Sequence, residues 1–187
     1  VRVYHGSASG LGRTSAWTIA GEQANSGLGA AVDTAGDVNG DGYADIAVGA
    51  RGRDGEQGWL ERVYVYHGSS TGLARTPAWT VESTQAFSKP AQFVSAMGDV
   101  NGDGYADLAV AAPPSDGLWE SGGLIQVYHG SSTGLAAVPA WTGLGNGPFG
   151  LAGDVNGDGY ADLIVGGTDG DEVYVYQGTR TGLGENV

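Results

Sequence analysis

The chain has 187 residues, 36 of them glycine, and 8 basic against 21 acidic side chains give a formal net charge of −13. That length suits one ordinary domain with a sizeable core, and 41% hydrophobic residues in short alternating runs exclude general disorder. The acidic excess argues against duplex nucleic acid or an anionic membrane surface as a partner, the absence of cysteine removes disulfides and thiolate metal sites, and no apolar run approaches the ~20 residues of a membrane span.

In chain order the elements are short and repetitive. Val1 to Gly6 reads as a strand entered midway, with neither an initiating methionine nor a signal peptide before it. A processed product, or a part of something longer, is expected. A Ser-Gly-Leu turn and Ala16-Trp17-Thr18 follow. Next comes Gly36-Asp37-Val38-Asn39-Gly40-Asp41-Gly42-Tyr43-Ala44-Asp45, running into the apolar strand Ile46 to Ala50. Val63-Tyr64-Val65-Tyr66-His67-Gly68, a Thr-Gly-Leu turn and Trp79 complete the unit. The ten-residue loop returns unchanged from Gly98 to Asp107, before Leu108 to Ala112, and from Gly153 to Asp162, before Leu163 to Gly167. Relatives of the Val-Tyr strand recur at Ile125 to Gly130 and Val173 to Gly178, and Trp141 repeats Trp17 and Trp79.

Successive loops lie 62 and then 55 positions apart, from Asp37 to Asp99 to Asp154. This is too long for a leucine-rich or hexapeptide solenoid and suits one four-stranded propeller blade. Strand A ends at the loop, B follows it, C is the Val-Tyr run and D carries the tryptophan. Alternation puts Val63 and Val65 on one face of strand C, with Tyr64 and Tyr66 on the other. The fold class is therefore all-β, with propeller blades of four antiparallel strands: two complete blades and two partial ones. The approximate units are 1–26 (strands C and D), 27–83, 91–144 and 148–187 (strands A to C). A closed ring needs more strands. The remaining blades come from a longer chain or from self-assembly, and the hazard of open sheet edges favours the former.

Each loop presents oxygen-bearing side chains at relative positions one, three, five and nine: Asp37, Asn39, Asp41 and Asp45; Asp99, Asn101, Asp103 and Asp107; Asp154, Asn156, Asp158 and Asp162. Glycine at position six allows the bend that turns early ligands toward one point, and the carbonyls of Tyr43, Tyr105 and Tyr160 at position seven can join them. A donor set of hard oxygens without His or Cys selects Ca²⁺, in three sites. Three such ions would bring the charge to about −7. An EF-hand is excluded, because it needs a bidentate acid at position twelve, where Val48, Val110 and Val165 stand. The acid at position nine is expected to complete the site instead. Isolated Asp-Gly turns would explain one copy; three identical copies point to metal.

On these residues the chain resembles the FG-GAP repeats of integrin α-subunit propellers and their bacterial relatives, over nearly its whole length. The resemblance implies that the loop joins strands A and B and that its calcium is structural, a role falling on Asp37, Asn39, Asp41, Tyr43, Asp45 and their repeats. The Phe-Gly element is kept at Phe149-Gly150 and altered at Leu28-Gly29 and Phe93-Val94.

Other signals read as scaffold. Gly68 to Gly72 and Gly130 to Gly134 match G-x-S-x-G, but they link two strands rather than a strand and a helix. His5, His67 and His129 occupy one repeat position, filled by Gln177 in the last copy. Trp17, Trp79 and Trp141 are expected to serve blade packing. Trp59 and Trp119 differ, since each lies in a long B–C loop, which is seven residues shorter in the third blade. Loop variation on the face opposite the calcium loops marks a binding face. The function expected is a secreted or cell-surface recognition and adhesion module without enzymatic activity, contacting a protein or glycan on that face. One alternative is a carbohydrate-binding lectin propeller, with Trp59 and Trp119 stacking on sugars near Asp54, Glu56, Asp116 or Glu120. The other is an accessory domain of a polysaccharide-active enzyme.

Overall fold

A computed structural model describes residues 1–21, 26–53, 59–83, 94–112, 123–145, 147–167 and 172–184. The described residues form fifteen strands. They are β1 (Arg2–Val3), β2 (Gly6–Ser7), β3 (Gly10–Leu11), β4 (Trp17–Thr18), β5 (Leu28–Gly36), β6 (Asp45–Arg53), β7 (Trp59–Tyr66) and β8 (Trp79–Ser83), then β9 (Val94–Gly98), β10 (Asp107–Ala112), β11 (Leu124–Tyr128) and β12 (Trp141–Leu144), then β13 (Phe149–Gly153), β14 (Asp162–Gly166) and β15 (Val173–Tyr176). None of the described residues is helical, so none lies in a helix able to cross a membrane.

Strand order follows chain order. β5-β6-β7-β8 and β9-β10-β11-β12 are four-stranded antiparallel sheets, β13-β14-β15 is three-stranded, and β1 pairs with β4. These are propeller blades, complete and partial. Each aspartate loop joins the first strand of its sheet to the second, as expected. The small hairpin β2-β3 inside the first Ser-Gly-Leu turn is an addition that the sequence pattern did not announce.

Register corrects one alignment made from sequence. Phe149 lies opposite Val165, as Val94 lies opposite Val110 and Val32 opposite Val48. The counterparts of Phe149 are therefore Val94 and Val32, not Phe93 and Leu28. In β5 a register irregularity between Leu28 and Ala31 separates Leu28 from the regularly paired stretch that contains Val32.

The core lies between sheets because both faces of each central strand are apolar. Val63 and Val65 pack with Val94, Leu108, Val110 and Tyr128 of the next sheet. Tyr64 and Tyr66 turn the other way, toward Trp17, Val1 and Val3. Ala109, Ile125 and Val127 meet Leu163, Val165 and Tyr176 in the same manner. The strand-D tryptophan bridges each boundary. Trp17 stands edge-on to Tyr66, Trp79 to Tyr128 and Trp141 to Tyr176, with ring centroids 5.2, 4.9 and 4.9 Å apart. The Trp17 indole N–H donates to the Ala74 carbonyl at 3.0 Å, and that of Trp79 to Ala136 at 2.9 Å. A buried indole needs such a partner, so these tryptophans are interblade anchors.

Candidate metal loops

Within the first loop the early acids turn inward. The Asp41 N–H donates to Asp37 Oδ1 at 3.0 Å and to Asn39 Oδ1 at 3.1 Å, so two candidate ligand oxygens point at one spot. Asp37 Oδ2 accepts the Gly42 N–H at 2.8 Å, and Asp41 Oδ1 accepts the Tyr43 N–H at 2.9 Å. Gly42 has φ +87°, the left-handed conformation that a sharp bend at position six requires. The same pattern holds in the second loop for Asp99, Asn101, Asp103 and Tyr105 and in the third for Asp154, Asn156, Asp158 and Tyr160, where the amide of the fifth residue again lies within 3.0–3.1 Å of the first and third side chains. Identical sequence closes an identical turn, because nearly all of its bonds are local.

The ninth residue behaves differently. Asp45, Asp107 and Asp162 are completely buried. Asp45 Oδ2 accepts the Val38 N–H at 3.0 Å and Oδ1 accepts the Gly68 N–H at 2.8 Å. Asp107 does the same with Val100 and Gly130, and Asp162 with Val155 and Gly178. This carboxylate ties the loop to the turn after strand C. The close approach explains the glycine ending each Val-Tyr block: a Cβ on Gly68 would stand 2.4 Å from the Ala44 carbonyl oxygen. The recurring His-Gly pair was the available signal for this bond, and sequence reading assigned it no partner.

Electrostatics mark the ninth position further. Burial raises Asp45 above its ordinary value; bonds from Gly68 and Val38 and the nearby His67 work against the rise, and Asp41 adds to it. Burial pushes Asp107 up to about 7, opposed by the amides of Gly130 and Val100 and reinforced by Asp103 and Asp99. The ion pairs of the described residues, Arg51 with Glu61 at 3.5 Å and Arg62 with Glu82 at 2.6 Å, lie in β6, β7 and β8 and supply no counter-charge here. Among the described residues no group of three His, Cys, Asp or Glu side chains is already gathered into a metal cluster. The donor set nonetheless fits a hard divalent cation. It is all oxygen, its early members converge, and it contains a buried acid, which in Asp45 and Asp107 burial itself holds above its ordinary value.

Two other positions bear on the loops. Asn39 Nδ2 lies 3.0 Å from Asp41 Oδ2 and 3.2 Å from His67 Nδ1, and Asn101 repeats both contacts with Asp103 and His129 at 2.9 and 3.2 Å. Burial holds the His129 imidazole below its ordinary value, against the pull of Asp103 and Asp99. The G-x-S-x-G segments are ordinary turns, closed by Ser69 Oγ on the Gly72 carbonyl at 2.7 Å and by Ser131 Oγ on Gly134 at 2.7 Å. Trp119, Asp54, Glu56, Asp116 and Glu120 lie outside the described residues, and Trp59 is described only as the backbone opening β7, opposite Arg53.

Stacked four-stranded sheets with an aspartate loop between first and second strands define a β-propeller repeat protein. The chain belongs to the FG-GAP repeat family: the FG-GAP-like repeat pattern matches residues 37–110, and the FG-GAP repeat pattern matches 93–128 and 146–182. It is similar to integrin alpha-V of Gallus gallus, 34% identical over 90% of this chain and 17% of the relative. It is 36% identical to integrin alpha-IIb of Mus musculus over 75% of this chain and 15% of that protein. Integrin alpha-PS2 of Drosophila melanogaster is 33% identical over 86% of this chain. The chain thus spans at most about a sixth of these relatives' length.

Proposed function

We propose that the protein is a calcium-stabilised, non-enzymatic recognition module of the integrin-α type, acting outside the cell or at its surface. The observation that carries the calcium reading is the buried ninth acid beside the inward-turned first, third and fifth residues, present three times. Asp37, Asn39, Asp41, the Tyr43 carbonyl, Asp45 and their repeats would hold the ions. The bound ion supplies the positive charge that the acid-rich loops lack, so it favours the folded state by mass action. Millimolar extracellular calcium would fill even modest sites. The adhesion role is supported by similarity to integrin α chains over most of the chain, and the end of the blades where β7 begins at Trp59, rather than in the loop expected from sequence, is the candidate contact face. A thermal melt in Ca²⁺ should show a rise in Tm that a chelator reverses, and Asp41→Ala should remove one site. Equal melting with calcium and with chelator would reject the metal reading.

A lectin is the second reading. It is favoured by a cavity between the two complete sheets, lined by Val63, Val81 and Val110 together with Arg51, Glu61 and Glu82. An apolar lining with a few polar groups is the ordinary character of a small-ligand pocket. Selective binding on a glycan array would favour it, and uniform silence would dismiss it.

A further inference from the structure

The histidine that follows strand C is explained neither by packing alone nor by the metal donor set. Asn39 Nδ2 has only N–H bonds to give, and it lies 3.2 Å from His67 Nδ1. That ring nitrogen must therefore accept, which leaves the ring proton on Nε2. His129 and Asn101 repeat the arrangement at 3.2 Å. In both histidines Nε2 is buried with no hydrogen-bond partner among the described residues. The next blade roofs the ring: a Cβ on Gly134 would stand 3.2 Å from His67 Cε1, and one on Gly182 3.1 Å from His129 Cε1. A buried N–H without a partner is unfavourable, so a ring kept this way needs a compensating role.

We propose that His67 and His129 are positioning residues for the metal loops, fixing the amide of Asn39 and Asn101 so that Oδ1, not Nδ2, faces the ion. An asparagine has two ends of nearly equal shape, and only the oxygen ligates a hard cation. Three bonds choose between them. Nδ2 donates to Asp41 Oδ2 and to His67 Nδ1, and Oδ1 is left on the Asp41 N–H. A flipped amide would set an N–H against the Asp41 N–H and an oxygen against the Asp41 carboxylate. The third loop is an internal comparison. Asn156 bonds Asp158 at 2.8 Å, but among the described residues it makes no hydrogen bond to Gln177, which stands where the histidines do. Partners behind a ligand orient it, and their loss typically lowers metal affinity about 10–100-fold.

This rests on the calcium reading of the loops, so calcium titration of the unaltered protein comes first, and uptake of no calcium would overturn both. Given binding, the double variant His67→Leu/His129→Leu keeps bulk but removes the acceptor. About tenfold or greater weakening is expected at two of three sites, with the third unchanged. In His67→Asn/His129→Asn a side-chain oxygen can replace Nδ1, and affinity should return to near that of the unaltered protein. Unweakened binding by the leucine variant would overturn the proposal, as would asparagine variants as weak as leucine. Should either variant fail to fold, ring ¹⁵N shifts of the unaltered, calcium-loaded protein decide. His67 and His129 should show a bare Nδ1 and a protonated Nε2, and a protonated Nδ1 in either would contradict the assignment.

Discussion

The second and third aspartate loops are the same ten residues in two settings. Inside, they match bond for bond, down to the 3.0 Å contacts from the fifth amide to the first carboxylate. Outside, they differ. Val100 is 0% exposed, and its carbonyl accepts the Thr179 N–H at 3.1 Å from the following unit. The Asp99 carbonyl accepts the Ala161 N–H at 3.0 Å, and the Tyr160 ring lies against Gly102. Val155, the counterpart of Val100, is 58% exposed, and nothing among the described residues covers Gly157. The loop's shape is thus a local property of its sequence, whereas its burial is supplied by the next sheet. In a repeat array, stability resides in these neighbour interfaces as much as in the unit.

The comparison can be broken most forcefully at the interface itself. Trp141→Ala removes the ring packed on Tyr176 and should cost about 3–5 kcal/mol in chemical denaturation. Next is the ninth acid. Asp107→Ala strands the amides of Val100 and Gly130 and should cost about 2–4 kcal/mol. Asp162→Ala should cost less, because the Val155 amide it releases is only partly buried. Val100→Ala should cost about 2 kcal/mol against about 0.5 kcal/mol or less for Val155→Ala; equal costs would erase the distinction between the two settings.

The subtlest test is pH. Asp107 has its folded value raised to about 7 from an ordinary 3.8. Between these values the folded, metal-free protein holds a proton that the unfolded chain has released. That stabilising contribution is complete below about pH 4 and is lost as pH rises through about 7. Melting temperature in chelator should therefore fall across this window, Asp107→Asn should flatten the fall, and calcium should remove most of it by taking the proton's place.

What could be read from sequence divides along the same line. The loop bend at Gly42, the strand after each loop and the two faces of Val63-Tyr64-Val65-Tyr66 depend on near neighbours, and all were legible. The Trp79 bond to Ala136, the seat of Gly68 under Asp45 and the contact of His67 with Asn39 join residues 57, 23 and 28 positions apart. Repetition announced that these positions matter but not what they touch. The equivalence of Phe149 with Val94 was misjudged because the Phe-Gly letters were matched, whereas position relative to the loop is what the strand partners Val165 and Val110 follow.

Equilibrium dialysis against ⁴⁵Ca²⁺, with bound ion counted per chain, measures occupancy of the loops themselves. Three ions per chain are predicted, falling to two in Asp103→Ala. A chain that retains its β-sheet circular dichroism yet binds none at millimolar calcium would contradict the account.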